Sequence, residues 1–195
     1  HVKLEVKRQK LKNTTVETQL LEVEEVKIGY VIISLFAENT AEEWKKALDV
    51  LLAKEVQGLI IDVRDNPGGY LHSVAQMMSM FEQNEKTFAY MQNHEGETES
   101  LKTKTSEAFA PYAMQLSDMP ITVLQNEGSA SASEVFAGAL QDWKRAVVIG
   151  VTSFGKGTVQ QTWELQNGGE VKLSTNKWLT PSKRWIHQVG IEPDL

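Results

Sequence analysis

Residues 126–134, Asn-Glu-Gly-Ser-Ala-Ser-Ala-Ser-Glu, set three serines among small residues, between an apolar strand pattern and a helical one. A hydroxyl at such a junction is presented at the end of a strand and beside a helix N-terminus, whose unpaired N–H groups can hold a developing oxyanion. Serine ahead of a helix is also an ordinary N-cap, and for this segment taken alone that is the commoner meaning. A second segment, 153–160, places Lys156 between Gly155 and Gly157. A lysine acts as a general base only when neutral, a state that a dry, glycine-lined pocket favours. Gln160, four residues on, is placed to hold its amine by hydrogen bonding. A third segment, Arg64-Asp65-Asn66-Pro67-Gly68-Gly69, reads as a tight turn, and its paired glycines let backbone approach a substrate, so that a Gly68 or Gly69 N–H can serve as an oxyanion donor.

Two other motifs compete for these residues. Gly150 to Lys156 has the glycine and lysine spacing of a phosphate-binding loop, but Gly157 stands where that loop needs Ser or Thr for magnesium. The stretch after Gly157 reads as a strand, not the helix that motif requires, and the acidic strand ending at Asp62 precedes the loop. Ser174-Thr175-Asn176-Lys177 fits a Ser-x-x-Lys pattern, yet it lies in a strand-like stretch without the companion motifs.

The elements that must position these residues alternate. Residues 2–6 alternate apolar and polar, as a half-buried strand does, and a short polar stretch comes next. The run 27–36 is β-branched and aromatic, Asn39 and Thr40 offer a cap, and Trp44, Leu48, Leu51 and Leu52 then fall at helical spacing. Residues 59–63 form an apolar strand, and 71–81 a helical pattern. Residues 82–118 are more polar, with short strand-like pieces such as 87–92 and a loop rich in Glu, Thr and Lys, and read as a surface excursion with the character of a lid. Strand, small-residue helix and strand recur over 121–150, and a hairpin turned at 167–169 completes the chain's pattern. Strand and helix in alternation predict an α/β layer structure.

With 195 residues and 41% hydrophobic content, one domain with a sizeable core is expected. A net charge of −6 without a basic tract argues against nucleic acid as partner. The absence of cysteine excludes thiol catalysis and a disulfide framework. No ligand spacing for a metal appears, so neither metal nor cofactor is expected. No apolar run approaches the roughly 18 residues that span a bilayer, and no secretory signal opens the chain. The strand-like start and abrupt end suggest an excised fragment. None of the four histidines has a motif around it, and the five tryptophans read as packing residues.

Taken in order, DVRDNPGG, NEGSASASE, ALQD, SFGKGTVQ and TPSKRWIHQVGIEPD resemble the C-terminal processing (tail-specific) protease family from about Thr14 to the last residue. The resemblance implies an α/β fold, the crotonase/Clp-protease-like spiral of strand-strand-helix units. It implies a serine endopeptidase with Ser131 as nucleophile, Lys156 as base and Gln160 supporting the dyad. The oxyanion donors would be the N–H groups of Ala132 and of Gly68 or Gly69. Glu134 and Asp142 match acidic residues of the family and are given supporting roles, structural ones being at least as well motivated.

The family carries a PDZ domain ahead of the core, and residues 1–9 resemble its last strand, leaving 10–195 as the catalytic core. Lys183 stands where the family usually has glycine. Partners implied are proteins or peptides with accessible C-terminal tails, with a homo-oligomer compatible and any membrane contact made only through a segment not in this sequence. The location implied is extracytoplasmic and bacterial. The competing reading is a catalytically silent tail-binding module on the same fold.

Overall fold

The computed structural model describes residues 14–104 and 106–195. The 1–9 segment compared with a PDZ strand lies outside the described residues.

The first sheet has five strands: β1 (Val16–Val23), β2 (Val26–Ile33), β3 (Gly58–Asp62), β6 (Ile121–Gln125) and β7 (Val147–Gly150), in that spatial order. β1 is antiparallel to β2, and the other pairings are parallel. The parallel strands are joined through helices α1 (Thr40–Leu52), α2 (Leu71–Met78), α3 (Ala110–Leu116) and α4 (Ala132–Asp142). The second sheet is antiparallel, in the order β5 (Thr98–Lys102), β4 (Thr87–Gln92), β9 (Glu170–Leu179), β8 (Thr158–Glu164). The mixed α/β fold expected from the alternation is the fold found.

Val31, Ile33, Leu59, Ile61, Val123 and Val148 alternate onto the buried face of the first sheet. Against it runs an aromatic chain in which Trp44 stacks on Phe81 at 5.7 Å, Phe81 meets Phe136 edge-on at 5.8 Å, and Phe136 meets Phe36 at 5.8 Å. α4 is buried continuously from Ala132 to Leu140. A helix surrounded on all sides needs small side chains where neighbours come close. Gly138 illustrates this, since a Cβ there would lie 2.9 Å from Ile191 Cδ1.

The stretch 82–118, expected as a surface excursion, is built into both layers of the fold. It contributes β4 and β5 to the second sheet and α3 to the core, with Phe88, Ala89 and Leu116 fully buried. Its polar composition comes from the turns and the outer faces of short strands.

β1, read as a polar stretch, is an edge strand with most side chains exposed, so no apolar alternation marked it. Its turn to β2 places Glu24 and Glu25 at φ 49° and 69°. A two-residue hairpin of this type favours Asn-Gly, so two glutamates carry no turn signal.

Candidate active site

The loops that leave the carboxyl ends of β3, β6 and β7 converge, the place where ligands bind in parallel α/β sheets. They are laced together by hydrogen bonds of their own. The Asp65 N–H donates to Asn126 Oδ1 (2.8 Å), and Asn126 Nδ2 donates back to Asp65 Oδ1 (3.0 Å). Ser129 Oγ donates to the Val63 carbonyl (2.7 Å), and the Phe154 N–H to the Ser129 carbonyl (3.0 Å).

Ser131 is the N-cap of α4, with φ 56° and ψ −115°. A side chain in that region costs on the order of 1–3 kcal/mol and persists only where the surroundings enforce it. Here they do. The Ala130 N–H donates to the Asn66 carbonyl (3.0 Å), the Ser131 N–H to Glu134 Oε2 (2.7 Å), and the Val135 N–H to the Ser131 carbonyl (3.0 Å). Gly68 packs directly on this turn, where an added Cβ would lie 2.8 Å from Ser131 Cβ and 2.6 Å from the Ala130 carbonyl oxygen.

Glu134, one helical turn along, is completely buried. Its Oε2 accepts the backbone N–H of both Ser131 (2.7 Å) and Lys156 (2.8 Å). Its Oε1 accepts Ser153 Oγ and the Gly155 N–H, each at 2.6 Å. Four donors on one buried carboxylate join the serine turn to the lysine loop, and charge-assisted bonds of this kind are among the stronger ones.

Lys156 is half-buried. The glycines beside it have a different cause from the one expected. Neither is among the residues that line the cleft with Lys156. A Cβ on Gly155 would come within 3.0 Å of the Gln188, Val189 and Gly190 nitrogens, and one on Gly157 within 2.7 Å of the His187 nitrogen. The glycines therefore admit the backbone of 187–190. Two indoles complete the hold: Trp178 Nε1 donates to the Lys156 carbonyl (2.8 Å) and Trp185 Nε1 to the Gly157 carbonyl (3.0 Å).

Ser131, Lys156 and Gln160 line one cleft of about 370 Å³, together with Gly69, Ala132, Leu71, Ala89, Val135, Trp178 and Lys172. Gln160 reaches it from β8, beside an irregularity in the β8–β9 register between Val159 and Gln160. Among the described residues no hydrogen bond joins the Ser131 and Lys156 side chains, and no carboxylate pairs with Lys156 Nζ.

Of the three backbone donors expected to hold an oxyanion, Gly68 is engaged elsewhere: its N–H donates to Asn66 Oδ1 (2.9 Å). Gly69, at φ 135°, lines the cleft with Ala132, and neither N–H has a protein acceptor among the described residues. Asn66, which carried no expectation, shapes this turn. Fully buried, it donates Nδ2 to the Ile33 carbonyl (2.7 Å), and its own carbonyl accepts the Ala130 N–H and Ser133 Oγ. Its position before Pro-Gly-Gly was the available signal, since Asn side chains fold back onto N–H groups two residues on. Trp178, Trp185 and Ser153 had no such signal, because their partners are distant in sequence.

Asp142 sits away from the cleft. Its carboxylate accepts the Ser182 N–H (2.8 Å) and Arg184 Nη2 (2.6 Å), pinning the 180–184 turn. Burial pushes this carboxyl up, but donors from Thr180 and Ser182 and the Arg184 guanidinium hold it below its ordinary value. Within that turn Lys183 has φ 63°, the left-handed region that explains a glycine preference at this position. Asp62 behaves likewise at the end of β3: burial pushes it up, while Arg64 and the Tyr30 hydroxyl (2.5 Å) bring it below its ordinary value. Asp62 is thus a partner in a local network. Neither His72, His94 nor His187 lines the cleft.

The profile of peptidase family S41 matches residues 27–195. The chain is 40% identical over 190 residues to the carboxy-terminal processing protease CtpB of Bacillus subtilis, covering 97% of this chain and 38% of that one. It is 41% identical over 167 residues to a probable CtpA-like serine protease of Staphylococcus haemolyticus, covering 86% and 32%. Among solved structures, a photosystem II D1 C-terminal processing protease superposes with a TM-score of 0.81 at 27% identity, over 96% of this chain and 49% of that one. A putative S41 protease of Bacteroides fragilis shares the fold, with a TM-score of 0.78 at 15% identity over 95% and 51%. The chain thus spans less than half the length of these curated relatives, and over that span it belongs to peptidase family S41.

Proposed function

We propose that this chain is the catalytic core of a serine endopeptidase acting through a Ser131–Lys156 dyad. The observation that carries the reading is Glu134 Oε2, one buried oxygen that accepts the backbone N–H groups of both residues and so holds their segments as neighbours. Neutral Lys156 removes the Ser131 proton, Oγ attacks the scissile carbonyl, and the Gly69 and Ala132 N–H groups receive the oxyanion at the start of α4. Lys156 returns the proton to the leaving amine as the C–N bond breaks, and water then hydrolyses the ester. Gln160 steadies the lysine amine from β8. Hydrogen bonds between catalytic groups are often long in an empty site and tighten around substrate, so the open Ser131–Lys156 geometry is compatible with this scheme.

Substrates on this reading are protein tails, in keeping with the carboxy-terminal processing named for the Bacillus subtilis relative. A PDZ domain ahead of the core and an extracytoplasmic location belong to the same proposal. No helix among the described residues is long and apolar enough to cross a membrane.

The test is cleavage of an unfolded protein by the chain and by its Ser131→Ala and Lys156→Ala variants. Each variant is expected to lose about a hundredfold or more in rate. A variant that cleaves as fast as the parent overturns the dyad. The absence of a side-chain bond between Ser131 and Lys156 favours a second reading, a tail-binding module without catalysis. Binding of tail peptides with no cleavage, even after the upstream region is restored, selects it.

A further inference from the structure

The cleft's lining holds two lysines and no carboxylate. On the proposed mechanism Lys156 works as a neutral amine, which leaves Lys172 as the standing positive charge of the site. Lys172 lies opposite Thr162 in the β8–β9 ladder, and Gln160 lies opposite Ser174. Side chains alternate along a strand and directly paired residues share a face, so Lys172 and Gln160 project from the same side of the hairpin. That side faces Ser131 across the cleft. Among the described residues no carboxylate lies within ion-pair distance of Lys172 Nζ. The remaining walls are mostly apolar, with Leu71, Ala89, Val135, Val159 and Trp178 beside Tyr70 and Thr158.

We infer that Lys172 forms a carboxylate-binding subsite, which orients a peptide so that an acidic group lies toward the hairpin while an apolar side chain fills the pocket beside Ser131. The inference rests on the peptidase reading of the cleft and adds the charge of its ligand. Glu164 and Glu170 pair across the same face one step nearer the tip and are not part of the lining. They repel a run of acids extending past Lys172, so the subsite suits one isolated carboxylate. A chain terminus and a single Asp or Glu side chain both supply that chemistry.

Binding separates the inference from the reading on which it rests. Labelled peptides of one apolar sequence would be titrated against Ser131→Ala protein by fluorescence anisotropy in four forms: free C-terminus, C-terminal amide, amide with one internal Glu, and amide with Gln in its place. A free acid or the Glu form is expected to bind roughly fivefold more tightly than its neutral counterpart, the scale of an exposed ion pair. The preference is expected to fade in high salt. It should vanish in Ser131→Ala/Lys172→Gln and persist in Ser131→Ala/Lys172→Arg, both changes lying on an exposed strand position. A preference for the free terminus names the tail as ligand, and a preference for Glu names a side chain. Equal affinities across all four forms, or a preference that survives Lys172→Gln, overturn the subsite. Intact carboxylate discrimination in a protein whose parent never cleaves would instead sink the peptidase reading and leave the subsite standing.

Discussion

The wall of the cleft that carries Ser131 is knitted by buried hydrogen bonds from three loops, whereas the opposite wall, the β8–β9 hairpin, hangs on its own ladder, on the pairing of β9 with β4 and on Trp178 at the base of β9, whose indole and backbone N–H groups reach the Lys156 and Gly157 carbonyls. Glu134, Asn66 and Ser153 are buried on the first wall. On the second, Trp163 and Leu173 are 42% and 53% exposed. On the proposed mechanism the difference separates two demands. Groups that exchange a proton must hold a fixed relation, and a mispositioning of about 1 Å can cost a hundredfold in rate. Groups that meet varied peptides tolerate adjustment, and edge strands of a sheet have fewer restraints.

Several changes would sharpen or break that contrast. The largest effect is expected from Glu134→Gln. An amide offers one acceptor oxygen to four donors and turns its own NH2 toward N–H groups, so stability should fall by about 3 kcal/mol or more, measured by denaturant unfolding, with activity falling alongside. A loss under about 1 kcal/mol with activity retained would show that the first wall does not depend on its buried carboxylate.

Acid is the next lever. The Asp62 and Asp142 carboxyls are held below their ordinary values in the folded chain, so the unfolded chain binds protons more readily. Their contribution is complete at neutral pH. It begins to fade as pH falls to the ordinary carboxylate range near 4 and is lost as pH drops through the lower folded values. Unfolding midpoints measured against pH should show this, and Asp142→Asn should flatten the acid limb. An unchanged limb would remove Asp142 from the framework.

A smaller change is expected at Ser131. Glycine tolerates φ 56° where alanine does not, so Ser131→Gly should be about 1 kcal/mol more stable than Ser131→Ala, by thermal unfolding, with both silent in cleavage. Equal stabilities would mean the turn is not strained. The smallest effect belongs to the hairpin. Leu173→Thr keeps a strand-forming residue at an exposed position and should shift stability by no more than about 0.5 kcal/mol. A loss of several kcal/mol would show that this wall is braced as firmly as the other.

Much of the framework was legible because local rules and the fold agree. The apolar run before Asp62, the helical spacing of Trp44, Leu48 and Leu51, and the turn at Asn167, Gly168 and Gly169 all report periodicities that packing preserves. β1 escaped notice because an exposed edge strand needs no apolar alternation. α3 and β5 escaped because short elements carry too few turns or pairs to stand out from polar loops. At the site, the glycines around Lys156 were legible as special residues, but their reason was not, since the 187–190 backbone that requires them lies far along the chain.

Sequence alone determined which chemical groups are available: a serine ahead of a small-residue helix, a lysine between glycines, a Pro-Gly-Gly turn, and their order along an α/β chain. Residue type and near-neighbour spacing are one-dimensional properties. Tertiary structure decided the rest. It gave the Gly68 N–H to Asn66 and left those of Gly69 and Ala132, residues of the cleft lining, without a protein acceptor among the described residues. It placed Asp142 on a distant turn and Glu134 between serine and lysine. It also set two tryptophans on the lysine loop. Each of these outcomes depends on which buried donor meets which acceptor, and that pairing exists only once distant segments have packed and excluded water.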